Sequence, residues 1–231
     1  MTQVFIISAP SGSGKSTLVN EIKKLVDRLE FSVSYTTRLP RGSEENGREY
    51  YYTSREVFER MIANNEFLEH ADVFGNYYGT AKKFLNDAIF RDHDLLLDID
   101  VQGASQLQVS LPQAVSIFIL PPNREELEKR LRRRSSAERM TDEAVIQRRL
   151  ETASREIEKY PEYGYILVND KLDDSIDALK AIILTERLRA NGRQPSRAEE
   201  EQLAQLADRR RLENVRPSLG PILESFRRKT V

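Results

Sequence analysis

Val4-Phe5-Ile6-Ile7-Ser8-Ala9-Pro10-Ser11-Gly12-Ser13-Gly14-Lys15-Ser16-Thr17 decides the fold class. Its first four residues form a continuous apolar run, the pattern of a strand buried on both faces. A Gly/Ser-rich loop follows at once. Leu18, Ile22, Leu25, Val26 and Leu29 then recur at helical spacing, which predicts a helix from about Lys15 to Leu29. Strand, loop and helix in direct succession make a phosphate cradle. Gly12 and Gly14 let the main chain curl until its N–H groups point inward, and those donors join the helix N-terminus as an anion site. Lys15 is placed to reach the β/γ-phosphates of a nucleotide, and the Ser16 hydroxyl to join a Mg²⁺ shell. The Walker A pattern G-x-x-x-x-G-K-[ST] starts with glycine, where this chain has Ala9. Gly14, Lys15 and Ser16 fit it. A chance Ser/Gly turn would lack the flanking strand and helix.

Further along, Leu95–Leu97, Val115–Leu120 and Tyr165–Val168 repeat the strand signal. Helical patterns over Glu125–Arg133, Asp142–Glu158 and Asp174–Leu188 lie between and after them. Strands alternating with helices predict an α/β fold, a three-layer arrangement around a parallel sheet. Residues 33–83 break this rhythm. They are rich in Arg, Tyr, Glu and Gly, with one helical pattern at Val57, Phe58, Met61 and Ile62, and read as an inserted α+β subdomain. The expected core is 1–32, 84–124 and 152–190, with a helical lid at 125–151. From residue 191 the character changes. Ser196-Arg197-Ala198-Glu199 has capping-box spacing, and a polar helical pattern runs through Leu203, Leu206 and Leu212 before Pro217 and Pro221 break it. Residues 191–231 read as an extension, helical or partly disordered, that adds little chemistry.

Composition narrows the chemistry. The 231 residues carry 36 basic and 37 acidic side chains, a formal net charge of −1, which does not favour a globally cationic nucleic-acid binder. There is no cysteine, so thiolate catalysis, disulfides and cysteine-held metals are excluded, and a reducing cytoplasmic setting fits. His70 and His93 are isolated. No apolar run approaches the roughly 20 residues of a membrane helix, and no secretory leader pattern is visible. A soluble cytoplasmic protein with small-molecule partners is expected, and neither nucleic acid nor membrane is.

A loop that binds nucleotide phosphates needs an acceptor site. The segment Ser34-Tyr35-Thr36-Thr37-Arg38-Leu39-Pro40-Arg41-Gly42-Ser43-Glu44-Glu45-Asn46-Gly47-Arg48-Glu49-Tyr50 supplies Arg forks and Tyr hydroxyls, both suited to phosphate oxygens. Read alone, it equally suits a solvated charged loop. Phe67-Leu68-Glu69-His70, Gly75-Asn76-Tyr77-Tyr78-Gly79-Thr80, Leu97-Asp98-Ile99-Asp100-Val101-Gln102-Gly103 and Val168-Asn169-Asp170 follow in order. Together with the loop, these segments resemble the guanylate kinases, over roughly residues 3–188. One local departure is the Gly42-Ser43 order, since the family more often has the glycine second.

The resemblance implies an enzyme that transfers phosphate from ATP to GMP, with Mg²⁺ as cofactor. It assigns ATP to Ala9, Pro10, Ser11, Gly12, Ser13, Gly14, Lys15, Ser16, Thr17, Arg130 and Asn169. It assigns GMP to Ser34, Arg38, Arg41, Glu44, Tyr50, Glu69, Tyr78, Thr80, Asp98 and Asp100. Ser34, Glu69 and Thr80 would read the base; Arg38, Arg41, Tyr50 and Tyr78 would hold the phosphate. Lys15, Arg38, Arg134 and Arg149 would serve the transfer step, and Asp98 or Asp100 would stand near the Mg²⁺ beside Ser16. Arg132, Arg133 and Arg139 read as a solvated basic face. Guanine suits a carboxylate, because its N1–H and N2–H₂ donate side by side. A kinase of another nucleoside monophosphate or of a phosphorylated sugar, and a phosphopeptide-binding relative, are the competing readings. The Ser34/Glu69/Thr80 set and the intact Gly14-Lys15-Ser16 argue against them.

Overall fold

The computed structural model describes residues 1–73, 75–137 and 142–227; Arg139, one of the arginines of the expected basic face, lies outside them. In chain order the elements are β1 (Val4–Ser8), α1 (Lys15–Leu25), β2 (Leu29–Ser32), β3 (Tyr35–Thr36), β4 (Tyr51–Tyr52), α2 (Arg55–Ala63), β5 (Phe67–Val73), β6 (Asn76–Ala81), α3 (Lys82–Arg91) and β7 (Asp94–Asp98). There follow α4 (Val101–Ser110), β8 (Val115–Leu120), α5 (Arg124–Ala137), α6 (Glu143–Ile157), β9 (Tyr165–Val168), α7 (Leu172–Ala190), α8 (Ala198–Asp208), α9 (Leu212–Val215) and α10 (Gly220–Phe226).

A five-stranded sheet has the order β2-β7-β1-β8-β9, with β2 parallel to β7 and β8 parallel to β9. All five residues of β1 are buried, as the apolar run requires. This is the α/β architecture expected. By its contacts the chain divides into two compact units, residues 1–6 with 28–114 and residues 7–27 with 115–231. Among the described residues, no helix is long and apolar enough to cross a membrane.

In the first unit, a four-stranded sheet in the order β4-β3-β6-β5 accompanies α2. Its core is Phe58, Met61, Phe67 and Ala81, flanked by Tyr35, Val57, Ile62, Tyr77 and Phe84. The helical pattern at Val57–Ile62 is thus the buried face of α2, which Ser54 caps by accepting from the Val57 N–H. Gly79 is required for close packing: a Cβ there would stand 2.9 Å from the Phe67 ring and 3.0 Å from that of Phe58.

The first helix is shorter than its spacing predicts. It ends at Leu25 because Val26 turns extended and Arg28 takes a left-handed φ of 57°. Leu29 opens β2, whose partner is β7. Leu29 and Phe31 fit a period of two, and the overlap of that period with the helical one hid the boundary.

In the second unit, α7 packs on α1 and β9, and α8 packs on α7. The expected box at Ser196–Glu199 is displaced by one residue. Ser196 donates through N and Oγ to Glu200 Oε2, at 2.9 and 3.2 Å, and Arg197 takes the N-cap position. The tail helix stops at Asp208, and Leu212 starts a separate turn.

Candidate active site

The phosphate cradle belongs to the second unit. Gly12 and Gly14 adopt left-handed φ values of 91° and 89°, the conformations that let the loop fold inward. The Ser13 N–H closes the turn on the Pro10 carbonyl at 3.1 Å. Gly14 is the N-cap of α1 without a side-chain cap, and Lys15, Ser16 and Thr17 form the first turn. The end of the helix dipole is left to an anion.

Other elements brace this loop from behind. Leu127 and Leu131 of α5 fill the space beside Gly12, within 3.0–3.1 Å of an added Cβ. The Ser13 carbonyl accepts from Asn169 Nδ2 at 2.7 Å and from Arg130 Nη1 at 3.5 Å. Arg130 also donates to the Asn169 carbonyl at 3.2 Å and to Glu126 at 3.0 Å. Asn169 and Arg130, assigned to ATP by the resemblance, touch the cradle through its main chain. Arg134 is exposed on α5 and Arg149 half-buried on α6. Arg132 does more than line a solvated face: its fork meets both Glu143 oxygens at 2.7 Å, tying α5 to the start of α6.

The residues assigned to GMP all lie in the first unit. Arg38 is only 9% exposed. Its guanidinium meets Glu44 Oε2 at 2.9 Å and stands 5.3 Å over the Tyr50 ring and 5.8 Å over that of Tyr52. Burial disfavours the Arg38 charge, but Glu44 and the Tyr78 hydroxyl outweigh it and hold its pKa above the usual value. Burial likewise opposes the Glu44 charge, while the Arg41 N–H, Tyr52 and Arg38 outweigh it and keep that carboxyl low. The Tyr50 and Tyr78 rings meet edge to face, 5.7 Å between centroids. Burial, then the charge of Asp98, pushes the Tyr50 phenol up, so it stays a neutral donor. The result is a buried guanidinium, oriented by Glu44 and flanked by tyrosine rings, whose donors suit phosphate oxygens.

Glu69 lies on β5, whose Ala71 pairs with Tyr78 of β6. Phe67, Glu69 and Ala71 alternate inward along β5, which makes Glu69 a buried carboxylate with 4% exposure. A register shift between Phe67 and Glu69 sets it opposite Thr80. Burial pushes its carboxyl up to about 7; Thr80 pulls it down, and Asp100 adds to the rise. Asp100 itself caps α4, its Oδ1 accepting from Gln102 N at 2.7 Å and Gly103 N at 3.1 Å. Ser34 is buried, and its carbonyl accepts from the Tyr51 N–H at 2.9 Å.

Tyr52 was missed in the sequence. Its hydroxyl donates to Glu44 at 2.8 Å, making Glu44 the hub that orients Arg38. The alternation of Tyr50 and Tyr52 is the signal that could have found it. Among the described residues, no group of three or more His, Asp or Glu side chains forms a metal cage.

The sequence model of the guanylate kinase family matches residues 1–186. The chain belongs to that family. A guanylate kinase of Koribacter versatilis (strain Ellin345) is 54% identical over 227 residues, covering 98% of this chain and 97% of its own. That of Nitrosospira multiformis is 46% identical over 186 residues, covering 80% and 87%. The crystal structure of guanylate kinase from Anaplasma phagocytophilum superposes with a TM-score of 0.66 at 35% identity, covering 81% of this chain and 87% of that one. The Koribacter relative therefore spans the C-terminal extension as well, and the Nitrosospira alignment is shorter.

Proposed function

We propose that the chain carries out one reaction, ATP + GMP giving ADP + GDP, with the cradle serving ATP and the residues around Arg38 and Glu69 serving GMP. An ionised oxygen of the GMP phosphate attacks the γ-phosphorus of ATP. The bond from that phosphorus to the bridging β–γ oxygen breaks, and ADP leaves. The attacking oxygen carries no proton, so positioning and charge neutralisation supply the catalysis. Lys15 and the loop N–H groups hold the ATP phosphates. Arg38, with Tyr50, Tyr78 and Arg41, holds the acceptor phosphate, and Arg134 and Arg149 meet charge that develops during transfer. Arg130 and Asn169 keep the loop in shape. Bound with ATP, Mg²⁺ would supply neutralisation of phosphate charge. The Ser16 hydroxyl in the first turn of α1 suits one of its ligand positions and nucleotide phosphates suit others, in keeping with the metal's preference for oxygen and water. Asp98 or Asp100, at the C-terminal end of β7, would stand near it, and Asp100 also caps α4.

The buried Glu69 carboxylate carries the choice of acceptor. It can accept from guanine N1–H and N2–H₂ together, with the Thr80 and Ser34 hydroxyls beside the base. Adenine would leave it buried and unpaired, a costly arrangement. The same argument admits dGMP. The cytoplasm, where ATP and GMP are found, is the proposed location. An ADP-release assay across GMP, dGMP, AMP, CMP and UMP tests the reading. Turnover with GMP and dGMP alone is expected. Equal rates with AMP would remove the role of Glu69, and no turnover with any acceptor would favour a binding module.

A further inference from the structure

Glu69 is backed by helix α4, and the contacts there are specific. Gly103 sits in the first turn of α4 and is buried. A Cβ at that position would stand 2.3 Å from Glu69 Oε2 and 2.9 Å from its carboxyl carbon. Gly103 has no left-handed φ, so its backbone does not call for glycine. Glycine is among the poorest helix formers. What the position requires is room for the carboxylate.

One turn along the same helix face, Gln106 grips the main chain of His70, the residue after Glu69. Its Nε2 donates to the His70 carbonyl at 2.8 Å, and its Oε1 accepts from the His70 N–H at 3.4 Å. Strand β5 is the edge of its sheet, so the Gln106 amide supplies bonds that a further strand would otherwise make. On the other side, the register shift between Phe67 and Glu69 pairs Glu69 with Thr80. Bulges of this kind re-aim side chains next to functional sites. The strand is thus fixed immediately before Glu69 by the bulge and immediately after it by Gln106, with the carboxylate seated on Gly103.

We propose that Gly103 and Gln106 are positioning residues for base selection: they set the plane of the Glu69 carboxylate so that both oxygens face the 2-amino-6-oxo edge of guanine. A two-point acceptor demands an orientation, whereas a single hydrogen bond tolerates rotation. The inference rests on Glu69 reading the base. It concerns discrimination between a 2-amino-6-oxopurine and a 6-oxopurine lacking the amino group.

The experiment compares GMP with IMP as acceptors for the full-length protein and for Gln106→Met, Gly103→Ala and Glu69→Gln. Gln106→Met keeps side-chain length at an exposed helix position and removes only the amide. The expected result is a GMP/IMP ratio of kcat/KM reduced about tenfold in Gln106→Met and Gly103→Ala, through a raised KM for GMP with the KM for ATP unchanged. Thermal unfolding of each variant accompanies the kinetics; a Gly103→Ala that does not fold leaves the decision to Gln106→Met. An unchanged ratio in folded Gln106→Met, with Glu69→Gln lowering it, overturns the positioning role alone. An unchanged ratio in Glu69→Gln overturns the reading of Glu69, and the inference with it.

Discussion

Asn169 Nδ2 donates to the Ser13 carbonyl at 2.7 Å and stands 2.4 Å from where a Gly14 Cβ would lie. The amide thus occupies the volume that glycine leaves open and holds the cradle by its main chain. Gly14→Ala meets two obstacles, the left-handed φ of 89° and the Asn169 amide. Left-handed strain alone costs about 1–3 kcal/mol. ATP affinity should fall at least tenfold, and calorimetry with GMP alone should show unchanged binding. Equal loss for both nucleotides would mean a general folding defect.

Lys15→Ala removes the cation assigned to the β/γ-phosphates. Turnover should fall by roughly two to three orders of magnitude, as for other lost charge-stabilising groups. The KM for GMP should change little. Near-normal turnover in the coupled assay would sink the role given to Lys15.

Arg38→Lys tests the acceptor phosphate site. Lysine keeps the charge and loses the planar fork that meets Glu44 and stacks near Tyr50 and Tyr52. The KM for GMP should rise roughly 30- to 150-fold, the equivalent of about 2–3 kcal/mol of lost charge-assisted bonding. Steady-state kinetics with ATP saturating is the measurement, and a rise under threefold would count against the assignment.

Glu69 links specificity to pH. Its carboxyl is raised from 4.5 to about 7, so the folded protein binds this proton more tightly than the unfolded chain. The stability it contributes is present below about pH 4.5 and lost as pH rises through 7. Glu69→Gln carries no charge to bury. Without ligand it should therefore be more stable than the parent at pH 8, by on the order of 3 kcal/mol, with the difference vanishing below about pH 4.5. Guanosine, which lacks a titrating phosphate, should inhibit the parent more weakly at pH 6 than at pH 8. A flat guanosine profile, or a Glu69→Gln that is less stable at pH 8, would contradict the buried-charge argument.

What the sequence revealed follows the distance over which each feature is encoded. The phosphate cradle is consecutive from Val4 to Thr17, so strand, glycines and helix all lie within one reading window. Glu69 and Arg38 are assigned by resemblance, since a lone glutamate or arginine carries no local signal. Their supports were not found. Glu69 meets Gly103 and His70 meets Gln106 across more than thirty residues, and the Tyr52–Glu44 bond depends on how two irregular segments fold back. The early end of α1 escaped because Leu29 satisfies helical and strand periods alike.

The C-terminal extension departs furthest from its polar, low-chemistry appearance. Its segment 210–212 runs antiparallel beside the edge strand β9: Ile166 N–H donates to the Arg210 carbonyl at 2.9 Å, and Leu212 N–H to that of Gly164 at 3.0 Å. Arg189 joins Asp208 through two bonds of 2.9 and 3.0 Å. Arg211 meets Asp208 and Glu186 and stands 5.0 Å over the Tyr165 ring, while the Tyr165 hydroxyl donates to Glu186. Leu219 and Phe226 are buried, and the Arg124 N–H that opens α5 donates to Ser225 Oγ at 3.1 Å. Truncation after Ala190 would open the β9 edge, strip partners from Arg189 and Glu186, and expose apolar surface. Several kcal/mol are at stake, and in a chain of this size each lowers Tm by about 2–4 °C. A fall on the order of 10 °C is expected. These contacts run to β9, α7 and α5 and none is to Lys15, Arg38 or Glu69, so turnover at 20 °C should be retained. Arg211→Ala should give a smaller fall of the same kind. Calorimetry beside the coupled assay separates the outcomes: an unchanged Tm would return the extension to a passive tail, and lost turnover in a folded truncate would give it a part in the reaction.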